Sequence, residues 1–132
     1  MPAVSDSSPP RRSLATVLLC VCLQAPAAVP LFDAHIHYND DVRQLLPPGR
    51  ALALLAQAGI GRALASATPG DAVEDLYRQA PERVVPFLRP YPSRAHRYFW
   101  YRDPAVPAWV REQLPRIPYR GIGEFHVTGA DA

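Results

Sequence analysis

A chain of 132 residues, 14.6 kDa and 48% hydrophobic letters has material for one domain and too little for two. A formal charge of +2, with no basic stripe interleaved with aromatics, argues against a nucleic-acid partner. All 14 basic residues are arginine, so lysine chemistry (a Schiff base, a phosphate anchor, a metal-bridging carbamate) is excluded within these residues.

Arg11-Arg12, the apolar run from Leu14 to Leu23 and the small-x-small triplet Ala25-Pro26-Ala27 stand in the order of a secretory signal peptide. The expectation is cleavage after Ala27 and export to the periplasm or the medium, with the paired arginines loosely similar to a twin-arginine signal. A misplaced start codon is one competing reading, and a membrane-anchoring helix is the other. The latter is weakened because no apolar run reaches the roughly 18 residues of a span, so no stable span is expected once the signal is gone. Cys20 and Cys22 both lie in the removed segment, which leaves the mature chain without a disulfide or a thiolate ligand. Its chemistry then falls to His, Asp, Glu and Tyr.

The first strand is expected at Leu31–His37, where the letters alternate. A helix follows over 48–58, with Leu52, Leu55 and Ala56 at helical spacing and Gly59 as its stop. A second strand spans 62–67. Asp71 and Glu74 then form a capping-box pattern that opens a helix over 71–80. A third strand spans 83–89, blemished by Pro86, and an aromatic, proline-punctuated loop covers 90–102. Asp103-Pro104 opens a helix to about residue 114, and a fourth strand spans 119–127. Such alternation implies parallel strands joined by right-handed crossovers, either a small open sheet or half of an eight-stranded barrel.

Two strand ends carry the chemistry. In Phe32-Asp33-Ala34-His35-Ile36-His37, alternation sends Asp33, His35 and His37 to one face. Imidazoles two residues apart on a strand stand roughly 7 Å apart at Cα, close enough for both rings to reach one ion. Asp33 lies below them, placed to hydrogen-bond a ligand histidine or to shape the floor of the site. In Gly121-Ile122-Gly123-Glu124-Phe125-His126, Glu124 and His126 share a face. Glu124 suits a metal ligand or a base; the bland alternative is a carboxylate paired with an arginine such as Arg89. His126 suits a supporting place beside the ligands. Arg89 either meets an anionic group of a substrate or makes a surface ion pair, and His96 is expected simply to face water. The run from Tyr98 to Tyr101 either lines a pocket mouth or anchors its loop.

The segment Phe32–His37 resembles the strand-one His-x-His signature of the amidohydrolase superfamily of metal-dependent hydrolases, and Arg120-Gly121-Ile122-Gly123-Glu124-Phe125-His126 is similar to the strand-four segment of amidohydrolase-related members with a Glu there. The resemblance covers about residues 31–131. It implies a partial TIM-type (β/α)8 barrel, roughly the first four β/α units, and a divalent metal, zinc first, held by His35, His37 and Glu124. It also implies metal-activated water that attacks an amide, ester, lactone or phosphoester of a small-molecule substrate; some related branches are decarboxylases.

The family's later ligands, histidines on strands five and six and an Asp on strand eight, have no counterpart before the chain ends. The expectation is therefore an N-terminal portion of such an enzyme: a fragment, a truncated product, or a half that self-associates or finds a complement. A non-catalytic remnant and a complete small α/β binding protein with an open sheet are the alternatives.

Overall fold

A computed structural model describes residues 29–127. The segment read as an export signal and both cysteines lie outside the described residues. The elements run β1 (Leu31–His37), α1 (Asp40–Leu45), α2 (Pro48–Gln57), β2 (Ile60–Ala67), α3 (Asp71–Gln79), β3 (Val84–Leu88), α4 (Val106–Gln113) and β4 (Gly121–Ile122). Two 3-10 segments, Arg94–Tyr98 and Trp100–Arg102, fill the β3–α4 connection, and a third, Leu114–Arg116, follows α4.

All three strand pairings are parallel, and the spatial order is β1-β2-β3-β4. The chain is thus an α/β unit whose strands and helices alternate. Spatial order follows chain order, without the reversal that marks a doubly wound sheet. The helices bury one face of the sheet: Ala65, Ala67 and Val84 pack with Leu52, Val73 and Leu76 in a single cluster. Alanines at 63, 65 and 67 keep this face of β2 thin, so α2 and α3 sit close to the backbone. Leu64, Ser66 and Phe87 face the other way and line an open hollow with His35 and Glu124. Among the described residues no helix is long and apolar enough to cross a membrane.

Local chemistry explains most boundaries. Pro48 begins α2 in the first helical turn, where its missing N–H costs nothing, and Gly59 follows the helix at φ +76°, a conformation that favours glycine. Asp103 Oδ1 accepts the N–H of Ala105 at 2.9 Å, but the α-helix begins only at Val106. The six-residue α1 was not expected, since one and a half turns carry too little periodicity to read. It is held by Arg43, whose guanidinium reaches Asp40, Asp71 and Asp75 at 2.6, 3.0 and 2.8 Å.

Two expectations are corrected. The fourth strand is only Gly121–Ile122 instead of 119–127. Beyond Gly123 the backbone finds partners outside the ladder: the Tyr91 hydroxyl donates to Glu124 O (2.8 Å), and Trp100 Nε1 donates to His126 O (2.9 Å). The Asp71–Glu74 capping box does not form either. Gly70 is the N-cap, and no side chain caps the helix. Glu74 instead turns into the protein, wholly buried. It accepts from Arg116 Nε at 2.7 Å, Arg78 at 2.8 Å and the Tyr119 hydroxyl at 3.2 Å. Burial alone would raise its pKa, but the two guanidiniums and the phenol together hold it below the ordinary carboxylate value.

Gly121 tests how closely β4 lies on β3. A Cβ there would stand 2.5 Å from the Phe87 ring, which real atoms do not tolerate. Gly121→Ala should therefore destabilise the chain by about 1–3 kcal/mol, the usual cost of overpacking. Adding Phe87→Leu should restore part of the loss. Urea unfolding of the single and double variants measures the coupling, and simple additivity would rule this contact out as the cause.

Candidate metal centre

His35 and His37 leave β1 at its C-terminal end, and Glu124 arrives two residues after β4. Although β1 and β4 lie at opposite edges of the sheet, the three side chains meet. His35 Nε2 and His37 Nε2 are 3.0 Å apart. Glu124 Oε2 is 3.1 Å from His37 Nε2 and 3.5 Å from His35 Nε2. Among the described residues this is the group of three whose ligand-type atoms converge, all within 4.8 Å of one another.

These separations suit a cation. Ligands about 2.0–2.1 Å from one ion at tetrahedral angles stand roughly 3.3 Å apart, and at right angles about 2.9 Å apart. The observed spacings of 3.0, 3.1 and 3.5 Å span both values. A centre at that distance from all three atoms lies only about 0.9 Å out of their plane. A proton on one imidazole nitrogen serves one of these contacts well, whereas a cation serves all three.

The surroundings fix each ligand. Ser66 Oγ lies 3.0 Å from His37 Nδ1, because Ser66 stands beside His37 in the β1–β2 register. Burial depresses the His37 pKa, and Arg89 lowers it further against the opposing pull of Glu124. The ring is thus neutral at neutral pH, the form that ligates a metal. With its proton on Nδ1, directed at Ser66, His37 turns an Nε2 lone pair toward the cluster. Ser66→Ala should leave the fold intact and weaken metal binding about 10–100-fold, the range typical of an outer hydrogen-bond partner. A metal titration of the variant measures this; an unchanged affinity would remove Ser66 from the site.

Arg89 is buried, with 10% of its side chain exposed, and one terminal nitrogen lies 2.8 Å from Glu124 Oε2. The ion pair that the sequence left open is therefore present, on the same oxygen that faces the histidines. It orients the carboxylate and takes up part of its charge.

Asp33 differs from expectation. The register slips between Asp33 and Ile36, where three residue steps in β1 match two in β2. Asp33 stands opposite Ala63 on the helix-covered side, and strict alternation with His35 and His37 fails. Its Oδ1 accepts the backbone N–H of His35 at 3.0 Å, so it shapes the bulge and bonds neither ring.

His126 lies outside the triad. Its Nδ1 is 3.0 Å from the Tyr91 hydroxyl, and its backbone N–H also contacts that oxygen. His96 likewise serves its own loop, 2.9 Å from Ser93 Oγ and 3.4 Å from Asp103. The aromatic run anchors: Trp100 packs on Phe125 and Tyr91 with ring centroids 5.3 and 6.1 Å away. Sequence reasoning missed Ser66 and Tyr91. Ser66 stands one residue before the end of its strand, a weak signal that becomes informative only with the pairing register; Tyr91 offered none.

Fold and site together define a parallel α/β unit with a two-histidine, one-carboxylate cluster at the strand ends. Comparison with protein-family models, with curated proteins and with solved structures finds no match.

Proposed function

We propose that this chain is the N-terminal portion of an exported metal-dependent hydrolase of the amidohydrolase type. In this reading His35, His37 and Glu124 hold a divalent metal, zinc first. The observation that carries the proposal is the convergence of three ligand atoms from opposite edges of one sheet. The strand order supports a partial TIM-type barrel, because a barrel also adds each parallel strand beside the last. The hollow on the uncovered face would be part of its interior, with the triad at the C-terminal mouth.

The bound ion would supply Lewis acidity and lower the pKa of water, so that after loss of a proton it can attack a small-molecule amide, ester, lactone or phosphoester near neutral pH. The chain's own groups do the positioning. His35 and His37 present their Nε2 atoms, Ser66 fixes the His37 ring, and Arg89 holds Glu124 facing them. Glu124 is either a ligand or the base that takes a proton at its carboxylate. The open edges of β1 and β4 and the exposed Leu31 and Phe32 favour a second reading, a half that works only with a complement.

The test is metal content by elemental analysis of purified chain loaded with zinc, followed by turnover of an activated aryl ester. One equivalent of metal with turnover is the expected result for the enzyme. One equivalent without turnover selects the partner-dependent half. No retained metal overturns the proposal.

A further inference from the structure

We infer that the cleft beside the triad is a subsite for an oxyanion, the carboxylate or phosphate of a small ligand. As a statement about substrate it rests on the hydrolase reading above. The cleft is lined by Asn39, Asp41, Thr68, Arg89, Tyr91, Arg94 and Arg97 and has a volume of 180 Å³. One water needs roughly 10–15 Å³ of such space, so a small anion with its solvent has room.

Three guanidiniums face one carboxylate in this wall. Asp41 is taken by Arg94, and Arg89 reaches out of the wall to Glu124. Arg97 makes no ion pair among the described residues; it contacts the Tyr98 hydroxyl and lies over the Tyr98 ring, 4.6 Å from its centroid. A positive excess thus remains at the cleft.

The buried polar atoms point the same way. Among the described residues three buried side-chain atoms have no hydrogen-bond partner: Thr68 Oγ1, Arg89 Nε and Asp71 Oδ1. The two that carry a proton both belong to this wall, on residues only 2% and 9% exposed. A buried donor without a partner costs free energy, and an acceptor-rich guest relieves that cost. Planar guanidinium forks match carboxylate and phosphate oxygens, which makes an oxyanion the fitting guest. Arg89 joins the two places, since it lines the cleft and bonds Glu124. An anion seated here would set the rest of its molecule beside the triad.

The experiment is a calorimetric titration of the full chain, stripped of metal by a chelator, with inorganic phosphate and separately with succinate. The expected result is saturable binding of at least one, weakened tenfold or more by Arg97→Met and severalfold by Thr68→Val. Arg111→Met, on α4 outside the cleft, should bind as the unaltered chain does. Phosphate binding alone identifies a phosphorylated ligand, and succinate binding alone a carboxylate. Binding of neither anion, or equal binding by Arg97→Met, overturns the inference. Zinc content measured on portions of the same preparations reloaded with zinc separates the two proposals: metal without anion binding removes the subsite alone, and anion binding without metal removes the hydrolase reading alone.

Discussion

Replacing His35 and His37 together with alanine should strip the chain of metal, from one equivalent to less than a tenth under the same loading. Two of three converging donors vanish, so the loss should exceed the roughly 10–100-fold that follows removal of an outer hydrogen-bond partner. Stability offers a second readout. Zinc at 100 times its dissociation constant stabilises a folded site by about 2.7 kcal/mol. Thermal melts of the unaltered chain should therefore rise with zinc, while those of the double variant stay flat. Both rings sit on the uncovered end of β1 and contribute nothing to the buried cluster, so without zinc the two proteins should melt alike. Equal zinc content in both would show that these histidines are not the ligands.

Glu74→Ala should cost about 1–3 kcal/mol, the usual penalty for leaving buried hydrogen-bonding groups such as the Tyr119 hydroxyl without their partner. The carboxylate is sealed from solvent, while Arg116 and Arg78 reach it from the exposed side. Small domains have only about 5–15 kcal/mol in total, so this one change should remove a sizeable share of the chain's stability. Acid should show the same group at work. The pKa of Glu74 lies below its ordinary value when folded, so in acid the unfolded chain takes up the proton first. Stability from Glu74 is thus complete above the ordinary carboxylate pKa of about 4.3 and is lost as pH falls through the depressed folded value. Glu74→Gln should flatten that part of the acid limb in urea titrations; an unchanged slope would mean that Glu74 is not held in its charged form. Replacing Glu74 and Arg116 together by methionine should cost less than Glu74→Ala, because apolar side chains fill the space and Arg78, half exposed, keeps Asp75 at 3.4 Å.

Much of the fold was legible because its signals are local. β1 has the expected bounds, Leu31–His37, and α2 and α3 differ from expectation by one residue at their ends. Asp71 and Glu74 misled because a capping box and a buried ion-pair hub share a spacing. The choice depends on Arg116 and Tyr119, more than 40 positions along the chain. The fourth strand was overextended for a similar reason: its alternation is real, but Tyr91 and Trp100 claim the backbone that a ladder would need.

The sequence by itself determined the alternation of strands and helices, the lack of lysine among these residues and the residue types able to hold an ion. Those follow from side-chain periodicity and composition, which need no partner. Only the tertiary structure decided that His35, His37 and Glu124 meet within 4.8 Å, that Ser66 and Arg89 orient them, and that Asp33 leaves their face. Strand order, pairing register and one bulge set those distances, and each is a relation between segments far apart in the chain.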